Sequence, residues 1–336
     1  MKRTQNDRNR LVRPLHGPTA GGILPMANPR EDEVSRSEDI TAEAPMQITR
    51  TGAKLVVKAP AKLNLFLEVL GRRDDGYHDI ESVFQTVSLF DEITLEPADA
   101  EIRFSTDSDD VPCDGTNLVV QTAELLRKHA GRQLGAVIEL TKNIPVGAGM
   151  GGGSSDAAAA LVALNQLWKL DLPREELHKI AEQIGSDVPF FLYGGTAVCR
   201  GRGERVEPIA NVRALNTLVV YPGIEVSTRR VYENLPVTLT RDVCDIRLFL
   251  TKLIKQQGCQ DPPQFFNRLE AVTVGLYESL NLLRRKMKES GLRNVIMTGS
   301  GSAFFGIIPD EKEVRRIAEE LTQEDVGEVF IVRSIH

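Results

Sequence analysis

Eleven residues, Pro145 to Ser155 (PVGAGMGGGSS), running straight into Asp156 and the four alanines Ala157 to Ala160, limit what this chain can fold into more than any other stretch. Five of the seven residues from Gly147 to Gly153 are glycine, and the alanine-rich run behind them is strongly helical. Without a Cβ, glycine turns sharply and lets backbone amides come close to a ligand. The amides of a first helical turn lack internal partners and together carry roughly half a positive charge. A glycine loop entering a helix is therefore an anion site. Ser154 and Ser155 add hydroxyls at the helix start, able to donate to phosphate oxygens or to coordinate a magnesium ion that bridges them. The pattern fits a triphosphate cradle, since an ordinary tight connection needs far fewer glycines and no paired serines.

Other phosphate motifs fit less well. Gly147, Gly149 and Gly152 make a GxGxxG, with Asp171 near the spacing of a dinucleotide fingerprint's ribose acid. That fingerprint needs a second strand ending at the acid, whereas here a helix through Leu161, Leu164 and Leu167 leads to Asp171, Leu172 and Pro173. No lysine comes after the glycines as in a P-loop, and no HRD or DFG marks a protein kinase.

At 336 residues the chain can bury one large core or two smaller ones, and its apolar and charged fractions are those of an ordinary soluble protein. A net charge of −6 argues against nucleic acid as the main partner, and no apolar run approaches a membrane span. Cys113, Cys199, Cys244 and Cys259 are scattered, without CxxC or histidine spacing, which points to a reduced cytoplasm and neither zinc nor disulfides. Residues 1–52 differ from the rest: basic up to Arg30, acidic from Glu31 to Glu43, with no periodic apolar face. They read as a disordered extension, as a targeting segment without an apolar core, or as the product of a start before Met46.

From Lys54 the organisation is regular. Leu55–Lys58, Leu63–Leu70, Ile80–Leu89, Glu92–Glu96 and Glu101–Ser105 are short β-rich runs expected to pair antiparallel. Next come a helix from Asn117 to Ala130, a strand from Ala136 to Leu140, the glycine loop with its helix, and a second helix from Glu175 to Ile184. Strands are expected at Thr196–Cys199, Arg205–Pro208 and Thr217–Tyr221, then a helix-rich part with strands near Val295–Met297, Ala303–Ile308 and Val329–Val332. This predicts two domains, 53–215 and 216–336.

Three further segments carry candidate chemistry. In AKLNLFLEV, alternation puts Leu63, Leu65, Leu67 and Val69 on one face and Lys62, Asn64, Phe66 and Glu68 on the other. A strand lysine is by default a solvated charge, but phosphoryl transfer needs a cation near the attacking hydroxyl. In IGSDVPFF, Asp187 leads an apolar run, and burying it unpaired would be costly; alone it reads as a cap or turn residue. In MTGSGSAFFGI, Gly299 and Gly301 make a hairpin or a second loop closing over the same phosphates.

Together, Lys62 in PAKLNLFLEV, the PVGAGMGGGSSDAAAA loop, Asp187 in IGSDVPFF and the TGSGSAFFG turn resemble, in order and spacing, the GHMP small-molecule kinases, which include homoserine, mevalonate and galactose kinases. GYHDIESVFQTVSLFDEI, Gly76 to Ile93, resembles the substrate segment of the branch that uses ATP to phosphorylate the C2 hydroxyl of a cytidine-diphosphate-linked methylerythritol in non-mevalonate isoprenoid synthesis. The resemblance runs from about Val56 to the C-terminus and implies an α+β, two-domain fold, with a ribosomal-protein-S5-domain-2-like N-terminal domain and a ferredoxin-like C-terminal domain. It implies Lys62 and Asp187 as the catalytic pair, with Asp187 accepting the substrate proton. It implies ATP contacts from Pro145, Val146, Gly147, Ala148, Gly149, Met150, Gly151, Gly152, Gly153, Ser154 and Ser155, and from Asn117 and Lys142 on the adenine side. Around the cytosine it implies Tyr77, His78, Phe84 and Tyr232, with polar contacts from Asn64 and Thr228. Mg2+ would bridge the phosphates, with Ser155 as the protein contact. Another kinase of the family, of homoserine or mevalonate type, would lack the GYH segment, and a silent nucleotide-binding relative would not need both Lys62 and Asp187.

Overall fold

The computed structural model describes residues 46–236, 244–254, 263–308, 310 and 312–336. Cys259 and residues 1–45 of the expected extension lie outside them. Residues 47–51, expected to belong to that extension, instead form a strand, β1 (Gln47–Thr51), paired antiparallel with β2 (Lys54–Arg72). Gly52, with φ of 62°, makes the turn between them, and Met46 is buried in the core. Charge masks this strand in the sequence: four of its five residues are exposed and polar.

The short β runs expected at the start merge into two long strands, β2 and β3 (His78–Ala98), which pair along most of their length. The run at Glu101–Ser105 stays a separate strand and pairs parallel, not antiparallel, with the strand at Gly135–Thr141. The break expected before Leu63 is a register shift between Pro60 and Ala61, and further shifts fall between Asn64 and Phe66, inside an expected run, and between Val69 and Gly71. Pro60 has no N–H to give a ladder, and an extra residue at a bulge lets the strand bend without ending. The shift at Leu65 also overturns the expected alternation. Phe66 packs with Leu63 and Leu65, while Leu67 and Val69 join a different cluster. Both faces are covered, so Lys62, Asn64 and Glu68 are buried rather than solvated.

The chain continues through β4 (Ile102–Thr106), α1 (Leu118–Ala130), β5 (Gly135–Thr141), α2 (Gly152–Leu167), α3 (Arg174–Ile184), α4 (Val188–Phe191), β6 (Thr196–Gly201) and β7 (Arg205–Ile209). The first sheet has the order β1-β2-β3-β5-β4, with β6 also paired to β3 and β7 to β6. α2 is the buried helix of this half: Ala157 to Ala160 are fully inaccessible, and only side chains this small let a helix lie so close to a sheet.

The second half holds β8 (Asn216–Tyr221), α5 (Thr228–Glu233), α6 (Ile246–Ile254), β9 (Phe266–Asn267), α7 (Glu270–Leu276), α8 (Ser279–Glu289), β10 (Arg293–Met297), β11 (Phe304–Ile307), α9 (Val314–Gln323) and β12 (Glu328–Arg333). Its sheet has the order β10-β11-β8-β12, antiparallel throughout, with helices after β8 and β11: the ferredoxin-like arrangement. The halves share a core in which Leu63, Leu65 and Phe66 meet Val219, Phe305 and Val332. β9 pairs with β2, and a buried ion pair, Arg268 Nη2 to Glu68 Oε2 at 2.6 Å, reinforces that junction.

Candidate active site

Both glycine-rich loops meet at the seam between the sheets. Gly149 and Gly151 have φ of 80° and 72°, a region closed to most side chains, and Gly151 caps α2 without any side-chain acceptor, leaving the first amides of the helix open. A Cβ on Gly149 would lie 2.3 Å from the Thr298 carbonyl oxygen, and one on Gly299 would lie 2.8 Å from the Gly149 oxygen. Ala303 N donates to Ala148 O at 3.1 Å. The second loop therefore braces the first from behind, while Gly299 and Ser300 reach the cleft wall.

Lys62 and Asp187 come together on that wall. Lys62 Nζ lies 3.6 Å from Asp187 Oδ2, donates to Asn64 Oδ1 at 2.6 Å and to Gly149 O at 3.1 Å, and sits 4.8 Å above the Phe84 ring. Burial pulls the Lys62 pKa down, and Asp187 opposes that shift. Asp187 stands at the N-terminus of α4 but caps nothing with its side chain, which leaves the carboxylate, 29% exposed, facing the cleft. Thr298 ties this corner together: its Oγ1 accepts from Asn64 N at 3.1 Å and is within 3.2 Å of Asn64 Oδ1 and 3.3 Å of Gly149 O.

The expected base-binding residues all line the cleft, but they differ in exposure: Asn64 and Phe84 are deep in the wall, while Tyr77, His78, Thr228 and Tyr232 stand around the recess. His78 and Tyr232 stack on each other at 4.9 Å, Tyr77 is 52% exposed, and Thr228 Oγ1 lies 2.8 Å from Ser300 Oγ. Burial lowers the His78 pKa, helped by Arg72, and raises that of Tyr232. Phe84, expected to offer a ring face to the base, lines the cleft but is almost wholly buried, edge-on to Phe190 and beneath Lys62. Asn64 gives its carbonyl oxygen to Lys62 and Thr298, and its amide nitrogen donates to Ser82 Oγ at 3.0 Å, so its role is to hold the lysine.

On the far side of the cradle, Asn117 and Lys142 line the cleft beside Val111, Pro112, Leu118, Val119 and Leu140. Asn117 is the N-cap of α1, accepting from Val119 N at 2.8 Å. Lys142 Nζ is held between two carboxylates, Asp91 Oδ2 at 2.5 Å and Asp156 Oδ2 at 2.8 Å. Asp91 Oδ1 accepts from Asn143 N and Ile144 N at 2.6 and 2.8 Å, which pins the entry to the loop. Burial pushes the Asp156 pKa up to about 8, and its Oδ1 is buried without a hydrogen-bond partner. Ser155, expected to touch a metal, is fully buried with an unpartnered Oγ and does not reach the cleft wall. The close seating of α2 on the sheet turns it inward, and Ser154 and Asp156 are the neighbours that face the cleft. Among the described residues no group of three His, Cys, Asp or Glu side chains is placed to hold a metal ion.

Thr298, Asp91 and Asp156 escaped sequence reasoning. Asp156 had a signal, an acid set among alanines on a buried helix, while Thr298 and Asp91 act through contacts made across the fold.

The cleft encloses about 1310 Å³ and carries the cradle amides, a buried lysine beside a half-open carboxylate, and an aromatic recess. A nucleotide-dependent kinase of small molecules needs this arrangement. The chain belongs to the GHMP kinases: residues 117–195 match the GHMP kinases N terminal domain and residues 251–326 the GHMP kinases C terminal domain. It is 40% identical over 279 residues to 4-diphosphocytidyl-2-C-methyl-D-erythritol kinase of Pelotomaculum thermopropionicum, covering 83% of this chain and 97% of that protein. It is 41% identical to the enzyme of the same name from Bacillus pumilus, covering 84% and 97%. A crystal structure of 4-(cytidine 5'-diphospho)-2C-methyl-D-erythritol kinase, 37% identical, superposes with a TM-score of 0.72, covering 84% of this chain and 99% of that one. Homoserine kinase from Cytophaga hutchinsonii, at 20% identity and a TM-score of 0.65, shares the fold.

Proposed function

We infer that the protein transfers the γ-phosphoryl group of ATP to the C2 hydroxyl of 4-diphosphocytidyl-2-C-methyl-D-erythritol, giving the 2-phosphate and ADP in the non-mevalonate isoprenoid pathway. One observation carries the reading: the Lys62–Asp187 pair lies on the wall of the same cleft as the glycine cradle. Relatives at about two-fifths identity over nearly their whole length bear that enzyme's name.

In this reading the triphosphate lies along the amides at the start of α2, where dipole and open N–H groups favour it. The adenine takes the apolar side walled by Leu118, Val119 and Leu140, near Asn117 and Lys142. The cytosine sits by Tyr77, His78 and Tyr232, and its insertion parts the last two rings. The C2 hydroxyl then points at Asp187, which accepts its proton as the oxygen attacks phosphorus; a positioned base contributes about 10² to 10⁴ in rate. Lys62, fixed by Asn64 and Gly149 O, orients Asp187 and balances charge developing on the transferring group. Magnesium supplies charge neutralisation across the phosphates when bound. The wall fits an ion held chiefly by phosphate oxygens, with the Ser154 hydroxyl as the protein donor. Ser155 joins only if its side chain turns out of the core. No described helix is long and apolar enough to cross a membrane, and the cytoplasm is where this reading puts the enzyme.

A coupled ADP-release assay with the cytidyl substrate, homoserine and mevalonate tests the reading. Turnover confined to the cytidyl substrate is expected; turnover of either of the others in its place contradicts it.

A further inference from the structure

Among the described residues the cleft wall carries five Lys and Arg side chains, and they are not equally engaged. Lys62 and Lys142 each have an anionic partner and a short hydrogen bond, and Arg229 Nε is paired with Glu233 Oε1 at 2.8 Å. Arg72 is exposed at the last position of β2. Arg202 differs from all of these. It comes just after β6, and its guanidinium lies 5.0 Å from the centre of the Tyr77 ring. Its polar contacts are long: Nη2 to Glu182 O at 3.4 Å and Nε to Glu204 Oε2 at 3.9 Å. By contrast Arg200, two residues earlier, meets Glu81 at 2.8 Å and Glu207 at 2.7 Å. The Arg202 charge also helps lower the pKa of Asp75, a neighbour on the cleft wall. A guanidinium has five N–H donors in a planar fork, and these contacts leave part of the Arg202 fork for a ligand.

Its position gives that fork a task. The next residue, Gly203, packs so close to the carboxylate that a Cβ there would be 3.3 Å from Asp187 Oδ1. Arg202 therefore stands against Tyr77 on the cleft wall, one residue before the backbone that packs against Asp187, which puts it on the stretch between the base recess and the phosphoryl-transfer corner. We propose that Arg202 binds the diphosphate bridge of the substrate, acting as a specificity-determining residue that registers the base against the reacting hydroxyl. This deepens, and rests on, the function inferred above. A guanidinium takes two phosphate oxygens at once in charge-assisted bonds, which a neutral base or sugar hydroxyl does not offer, so the residue selects for a nucleoside diphosphate over a nucleoside. The ring contact holds the fork flat at the cleft edge while more than half of Tyr77 stays open.

Isothermal titration of the full chain with CDP and with cytidine tests this, using wild type, Arg202→Gln and Arg202→Lys. Wild type is expected to prefer CDP. Arg202→Gln is expected to lose about tenfold or more in CDP affinity while cytidine affinity changes little, and Arg202→Lys to recover part of the loss. Equal weakening of both ligands would mean that Arg202 only props Tyr77, and no change in either would mean that it binds nothing; each result overturns the proposal. If Arg202→Gln does not fold, Arg202→Lys decides, because unaltered CDP affinity with the fork removed overturns it as well. A wild type that turns over the cytidyl substrate while the variants bind CDP normally sinks this inference alone, whereas a wild type that neither turns it over nor binds CDP sinks the functional reading with it.

Discussion

Substituting Gly149 by alanine probes the contact on which the site's geometry depends. Two costs arise there. The backbone is at φ of 80°, where an L-residue is worse off by about 1–2 kcal/mol. The new Cβ would also stand 2.3 Å from the Thr298 carbonyl oxygen and 3.1 Å from Gly301 N and O, all backbone atoms. Carbon and oxygen approach to about 3.3 Å, so the loops must part by about 1 Å. Gly149 O also accepts from Lys62 Nζ, so the lysine moves with the loop. A displacement of about 1 Å at reacting groups is worth about 100-fold in rate. Gly131→Ala is the control, because its φ is 61° but nothing lies within 4 Å of its Cβ. Steady-state ADP release and thermal melting, run side by side, are the assays. Gly131→Ala should lose about 1–2 kcal/mol and keep its activity, whereas Gly149→Ala should melt lower still and lose about 100-fold in kcat/KM. If the two variants behave alike, the loops do not clasp as described and the reasoning fails.

Asn64→Ala removes the 2.6 Å bond that fixes Lys62; kcat should fall about 10- to 100-fold with the KM for ATP nearly unchanged, read by initial rates. Glu68→Ala deletes the carboxylate on which Arg268 and the backbone N–H groups of Val69 and Cys244 converge, and should cost about 3–5 kcal/mol in denaturant unfolding. Asp156 holds its proton up to about 8 in the folded protein against an ordinary 3.8. Between those values the folded state binds more protons than the unfolded, so the stability this group contributes is complete below about pH 4, falls as pH rises, and is gone above about 8. Asp156→Asn cannot ionise, so its melting temperature relative to wild type should climb from about pH 5 to about pH 8; a difference independent of pH would count against the raised pKa.

Local chemistry made much of this protein legible. The glycine loop, the helices on either side of it and the strands after it are dictated by turn residues and apolar period, and those that were given bounds fall within a residue or two of them; α4, β9 and the separate helices after β8 were not resolved in the sequence. What the sequence could not disclose is set by contacts across the fold. Alternation assigned Phe66 to the face of Lys62, but a bulge at Leu65 exchanged the faces, and no residue type marks a bulge of that kind. Phe84 lines the cleft, but its place as the floor under Lys62 is set by the covering of both faces of β3 and has no mark in the sequence. Ser155 shares every local property of Ser154, and only the seating of α2 separates them. Lys62 shows the reverse case. Nothing in its strand distinguishes it from a solvated edge lysine, and partners 87 and more residues away, Gly149 and Asp187, give it its environment.

The central claim is that Asp187 takes the proton from the attacking hydroxyl while Lys62 holds it in place. Measuring kcat for Asp187→Asn, with ATP affinity checked by titration, tests it most directly. The expected result is a fall of about 10² to 10⁴ in kcat with ATP bound as in wild type. A variant that keeps most of its rate would contradict it.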